Sequence, residues 1–176
     1  MSQSDNFEIR LKGGHPNSLG NTVEVVEQVL ANPEFFEELF NCYQSEDELV
    51  RLRTSNGVKR VALANKLLVA PYLDRLLNEI SQIDQASAQW TLSQLFLILQ
   101  DDMTVQQRTK AADIMKNNLT ESTDWIVLNM TMETLGQWSK SDEYLKNWLM
   151  PYLDTYAHDK RKSVAKKAQK TIALLS

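Results

Sequence analysis

Few residues in this chain could carry covalent chemistry. It has two histidines, His15 and His158, and one cysteine, Cys42. His15 sits beside Pro16 in the polar stretch Lys12–Asn21, and both histidines have polar neighbours, which leaves little for imidazole-based nucleophilic catalysis. The Cys and His spacing suggests no zinc site, and there is no glycine-rich phosphate loop. No metal or cofactor is therefore expected. What the chain does offer is recognition chemistry. Asn65, Gln94 and Gln137 are carboxamides on helix-patterned stretches, with Trp90 one turn before Gln94. A carboxamide both donates and accepts, so a row of them can pair with an extended peptide backbone whatever its sequence. Trp90 would add an apolar wall with a free indole N–H. Arg60 and Glu133 would bias such a face toward acidic and basic side chains respectively.

Two basic groups offer a different chemistry. One is Arg51, Arg53, Lys59 and Arg60, around Thr54-Ser55-Asn56-Gly57; the other is Lys160, Arg161, Lys162, Lys166, Lys167 and Lys170, a run with no acid from Lys160 to Lys170. Both could hold phosphate, although a net charge of −4 is the wrong sign for a general phosphate binder. A solvated helix surface is the simpler reading of each.

The elements that must position these residues are helices. The chain has 176 residues, 43% of them hydrophobic, with only 5 glycines and 4 prolines, three of the glycines before residue 21. Such sparse turn formers imply helices joined by short loops. Residues 1–21 are read as an extended or flexible segment, since Phe7, Ile9 and Leu11 alternate in a strand-like way. Residues 22–176 are read as one helical domain. Asn32-Pro33 ends one helix and starts the next. Ser45 to Glu48 reads as a capping box for a short helix that Thr54–Gly57 breaks. Thr104 and Gln107 make a second capping box, and Ser141 is read as a third cap. Asp124 to Ser139 is apolar almost all round, which predicts a helix covered on several sides. Trp125 shares a stripe there with Leu128, Met132 and Leu135 and is expected in the core. Pro151 falls inside a helical pattern, so a kink is expected there. The single cysteine, the lack of a signal-peptide core in MSQSDNFEIR and the lack of a long apolar run give a cytoplasmic location without membrane insertion as the expectation.

Phrases recur along this pattern. PYLD at Pro71–Asp74 returns 80 residues later at Pro151–Asp154, and TLSQ at Thr91–Gln94 returns loosely as TIAL 80 residues later at Thr171–Leu174. TLGQ at Thr134–Gln137 lies between. The offset suggests two units of about 40 residues, the length of a helical repeat. VALANKL at Val61–Leu67, WTLSQL at Trp90–Leu95 and METLGQW at Met132–Trp138 resemble the inner helix of armadillo and HEAT repeats. The resemblance implies an all-α, right-handed α-solenoid of about four repeats. It also implies a concave groove that holds an extended peptide through Asn65, Gln94 and Gln137 at the family's Asn position and Trp90 at its Trp position. Departures are visible: Gln replaces Asn twice, Val61 and Glu133 stand where Trp would, and Leu174 takes the last Asn position.

The function this points to is non-catalytic binding of a peptide or protein on the concave face. The alternative is nucleic-acid binding through the basic groups. A distant third follows from one enzyme class built on such repeats, a DNA glycosylase family that cradles alkylated bases with Trp and Asp; Asp124-Trp125 is the nearest local match, in residue type alone.

Overall fold

The computed structural model describes residues 6–176, and among these the chain is all-α, with no strand. It divides into two compact units, residues 1–91 and 92–176. The part of the 1–21 expectation that falls on residues 1–5 lies outside the described residues.

The first unit contains α1 (Phe7–Leu11), α2 (Thr22–Ala31), α3 (Phe36–Asn41), α4 (Glu48–Ala64), α5 (Lys66–Val69), α6 (Leu73–Asn78) and the start of α7 (Ala86–Ile98). The Phe7–Leu11 alternation is a turn of helix, not an extended segment. Phe7 and Leu11, four residues apart, share one face and are both buried, while Ile9 is exposed. Asn6 caps this helix by accepting from the Ile9 amide, and the Phe7 amide donates to Glu38. A second correction concerns α4, which runs unbroken for 17 residues through Thr54–Gly57. Those small residues are not a turn but a close-packed face. Thr54, Ser55 and Gly57 are buried, the Thr54 hydroxyl donates back to the Val50 carbonyl, and Gly57 lies against Leu39 and Thr22. Tertiary packing overrides the local preference of Ser, Asn and Gly for turns. The cap of α4 is Asp47, which accepts from the Leu49 amide, and Ser45 instead donates to Glu8.

Among the described residues no carboxylate forms an ion pair with Arg53, on the buried side of α4. Its guanidinium donates to the carbonyls of Leu11, Gly13, His15 and Ser18 at 2.7, 2.6, 3.4 and 3.2 Å. The loop bends around it through Gly13, Gly14 and Gly20, all at positive φ. A Cβ on Gly20 would sit 2.8 Å from the guanidinium carbon, so only glycine fits there.

The second unit holds the rest of α7 with α8 (Val105–Glu121), α9 (Trp125–Ser139), α10 (Glu143–Tyr156) and α11 (Lys162–Leu175). Thr104 and Gln107 form the expected capping box on α8. Asp142, not Ser141, caps α10. α9 packs against α8, α10 and α11, which accounts for its apolar periphery. On another side it meets α7 through hydroxyls: Ser93 and Thr131 are 3.2 Å apart, and Thr134 donates to the Ser93 carbonyl at 2.7 Å. Its contact with α11 is tight, since a Cβ on Gly136 would lie 2.5 Å from the Thr171 methyl. α8 and α10 are linked where the Tyr156 hydroxyl donates to the Leu119 carbonyl at 2.6 Å. Trp125 is not in this core. It begins α9 and is 50% exposed, whereas Trp138, at the other end, is 1% exposed. Pro151 lies inside α10, which continues through it.

Two stability outcomes follow. Arg53→Met should cost at least about 2 kcal/mol in urea unfolding, because charged hydrogen bonds are lost together. Arg53→Lys should recover little, since an ammonium lacks the planar fork that spans several carbonyls. Gly136→Ala should destabilise by about 1 kcal/mol net, overpacking outweighing the gain in helix propensity. Thr171→Ser in that background should recover most of the loss by removing the obstructing methyl; an unrelieved loss would place the strain elsewhere.

Candidate functional site

The residues expected to line one groove are distributed over both units. Asn65 is exposed and stands at a break: it ends α4 and precedes α5, with φ −153° and ψ 87°. It is therefore not an interior residue of an inner helix, as the VALANKL phrase implies. Trp90 is half-buried on α7. Arg60 is exposed on α4 and its Nε donates to Asn56 at 2.6 Å.

In the second unit, Gln94, Glu133 and Gln137 fall on adjoining helices. Gln94 reaches from α7 to α9, where its Nε2 lies 3.2 Å from the Met130 sulfur. Its Oε1 is buried without a protein partner. One and two turns beyond Met130 on α9 come Glu133 and Gln137, and with Lys167, Lys170, Thr171 and Leu174 of α11 they line a concavity of about 270 Å³. Lys167 is ion-paired with Glu133. That hydrogen bond, helped by Gln137 and the nearby Lys170, holds the Glu133 carboxyl below its ordinary range against the opposing effect of burial. Lys170 is exposed and hydrogen-bonds to none of the described residues.

Lys167 and Lys170 thus leave the basic run and join the carboxamide face. For Lys170 the sequence carries a positional mark. Trp90, Glu133 and Lys170 each directly precede the threonine of a recurring phrase, at Thr91, Thr134 and Thr171. The register that puts Glu133 at the Trp position puts Lys170 there too.

The remaining basic residues differ in how far they reach the surface. Arg53 is 2% exposed and its donors are occupied, so it has no part in a surface patch. The sequence reading placed it beside a turn; the continuous helix turns it inward. Arg51 donates to Gln85 and to the Ser45 carbonyl. Lys59 is half-buried, and desolvation together with Arg60 lowers its pKa. Arg161 is held by Asp159 and by the Thr123 carbonyl. Lys160, Lys162 and Lys166 remain exposed with Lys170. The Asp124 carboxylate accepts from the Ile126 and Val127 amides as the cap of α9, which takes it away from base recognition beside Trp125.

A second concavity, about 360 Å³, lies between α8 and α10. Its cations are already stacked on indoles, Arg108 at 4.1 Å from the Trp138 ring and Lys116 at 5.1 Å from the Trp148 ring. Among the described residues no helix is long and apolar enough to cross a membrane, and no cluster of three His, Cys, Asp or Glu could hold a metal ion. The chain matches no protein-family model, and a search of curated proteins finds no match.

The ion pair gives a pH outcome. A carboxyl lowered in the folded state adds stability that is present above its unfolded pKa and is lost as pH falls through its folded pKa. Lys167→Met should therefore raise the Glu133 midpoint toward the ordinary carboxylate value in a carbon-13 NMR titration. An unmoved midpoint would show that the pair does not form in solution.

Proposed function

We propose that this protein is a non-catalytic interaction module of armadillo/HEAT-like helical repeats that binds an extended, acidic peptide segment on the α9–α11 face. The observation that carries this reading is the single concavity in which Glu133 and Gln137 of α9 meet Lys167, Lys170 and Leu174 of α11. Gln137 and Leu174 are the fourth residues of two copies of one recurring phrase, so equivalent positions of successive inner helices line one cavity. Lateral contacts support the repeat assignment. The threonine that opens one phrase mates with the small third residue of the phrase before it, Thr134 with Ser93 and Thr171 with Gly136. Pairing α8 with α9 and α10 with α11 gives stacked hairpins, each covering its neighbour's apolar side.

Charge selects the peptide class. Glu133 is neutralised by Lys167, which leaves Lys170 as the surplus charge at the cavity and Lys166 one turn away along α11. The Gln137 carboxamide would meet the peptide backbone, Lys170 its acidic side chains. Nucleic-acid binding has less support, since Arg53 is buried and Arg51 and Arg161 are engaged.

Selection from a displayed library of short random peptides should enrich Asp- and Glu-rich sequences with no fixed apolar motif. Gln137→Ala with Lys170→Met should then weaken the selected peptide by about tenfold or more, with the helical circular dichroism intact. No enrichment, or equal binding by the folded double variant, would reject the site. Tighter, steeply salt-dependent binding of a single-stranded oligonucleotide would favour the phosphate reading instead.

A further inference from the structure

Several large apolar side chains of the first unit are exposed. On α2, Val23 and Leu30 are 38% and 37% exposed; at the end of α4 and on α5, Leu63 and Leu67 are 67% and 68% exposed. Val23, Val26, Leu63 and Ala64 line a groove of about 430 Å³. Its two walls carry opposite charges, Glu27 on the α2 side and Arg60 on the α4 side, and both residues are exposed. A leucine two-thirds exposed beside an apolar groove is a surface that water does not stabilise.

We propose that this groove is the interface at which two copies of the chain pair in solution. The placement of the charges decides the occupant. A two-fold axis along the groove sets each wall of one copy against the opposite wall of the other. Glu27 of each copy then faces Arg60 of its partner, so the contact is made twice. Leu63 of each copy enters the other's groove between Val23 and Ala64. A second copy meets these requirements by symmetry alone. Any other partner would have to supply a base, an apolar side chain and an acid in matching order. The interface is separate from the α9–α11 face and does not rest on the peptide-binding reading.

Sedimentation velocity of the full chain tests this. The species should shift from one chain, 20.2 kDa, toward twice that mass as concentration rises to about 100 μM. Leu63→Asp should weaken self-association at least tenfold, with the helical signal unchanged. Glu27→Arg and Arg60→Glu should each weaken it, and an equimolar mixture of these two variants should associate again, because each introduced charge meets its opposite in the mixed pair. That recovery separates pairing between chains from any contact within one chain. A wild-type chain that stays at one-chain mass at about 100 μM overturns the proposal. So does self-association that survives Leu63→Asp, or a mixture that stays dissociated.

Discussion

The close approach of α9 and α11 at Gly136 is the contact on which the second unit depends. With no side chain on Gly136, the Thr171 methyl can lie where a Cβ would stand, and the two backbones come together. The Thr171 hydroxyl is turned back to the Lys167 carbonyl at 2.9 Å, so the methyl, not the polar atom, faces α9. On the opposite flank the same helix meets α7 through Thr134 and the Ser93 carbonyl, both buried. One flank is thus fixed by a missing side chain and the other by a satisfied hydroxyl. Together they set the register of three helices. The same two helices carry the cavity at which Lys167 pairs with Glu133 and which Gln137 and Leu174 line.

The first unit is organised around a different constraint, a buried cation. Removing a guanidinium from water is costly, and a carboxylate is the usual compensation. Here backbone carbonyls of a tight loop serve instead, presented toward Arg53 by glycines at positive φ. The arrangement links α4 to the chain on both sides of the loop. α1 buries Phe7 and Leu11 on one side, and on the other the Leu19 carbonyl accepts the Thr22 hydroxyl where α2 begins. Segments that are polar in composition become ordered parts of the unit through their carbonyls, with local bonds from the His15, Ser18 and Asn21 side chains.

This difference explains which features were legible in the sequence. The covered helix α9 was legible because an all-round apolar pattern has one physical outcome, neighbours on several sides. The Thr104/Gln107 box was legible because capping is local. Arg53 was not, since its partners are main-chain groups about 40 residues away that carry no residue signature. Thr54–Gly57 was misread for a related reason: small residues make turns when exposed and helix contacts when buried, and the sequence states their size but not their burial. Trp125 shows the limit of stripes. It lies in register with Leu128, Met132 and Leu135, but it is the first residue of α9 and half of it is exposed. At the α9–α11 face Gln137 and Leu174 were marked by the recurring phrase. The lysines were not assigned there, because a basic run reads as one surface until the helix turns Lys167 toward α9 and leaves Lys166 in solvent.

The Glu133–Lys167 pair also shapes what such a face can hold. On the proposed reading, an incoming carboxylate must compete with Glu133 for Lys167, whereas Lys170 is already available. A basic peptide faces the reverse problem, because the acid it would need is already bound to Lys167 and flanked by Lys170. The pair therefore works more against basic partners than in favour of acidic ones, and selectivity arises as a difference between two unequal costs. Binding strength would then come from the Gln137 carboxamide, which addresses the peptide backbone that all sequences share. Such a division predicts modest affinity with broad tolerance of sequence and a definite sign of charge, the behaviour of a module that recognises a class of segments and not one motif.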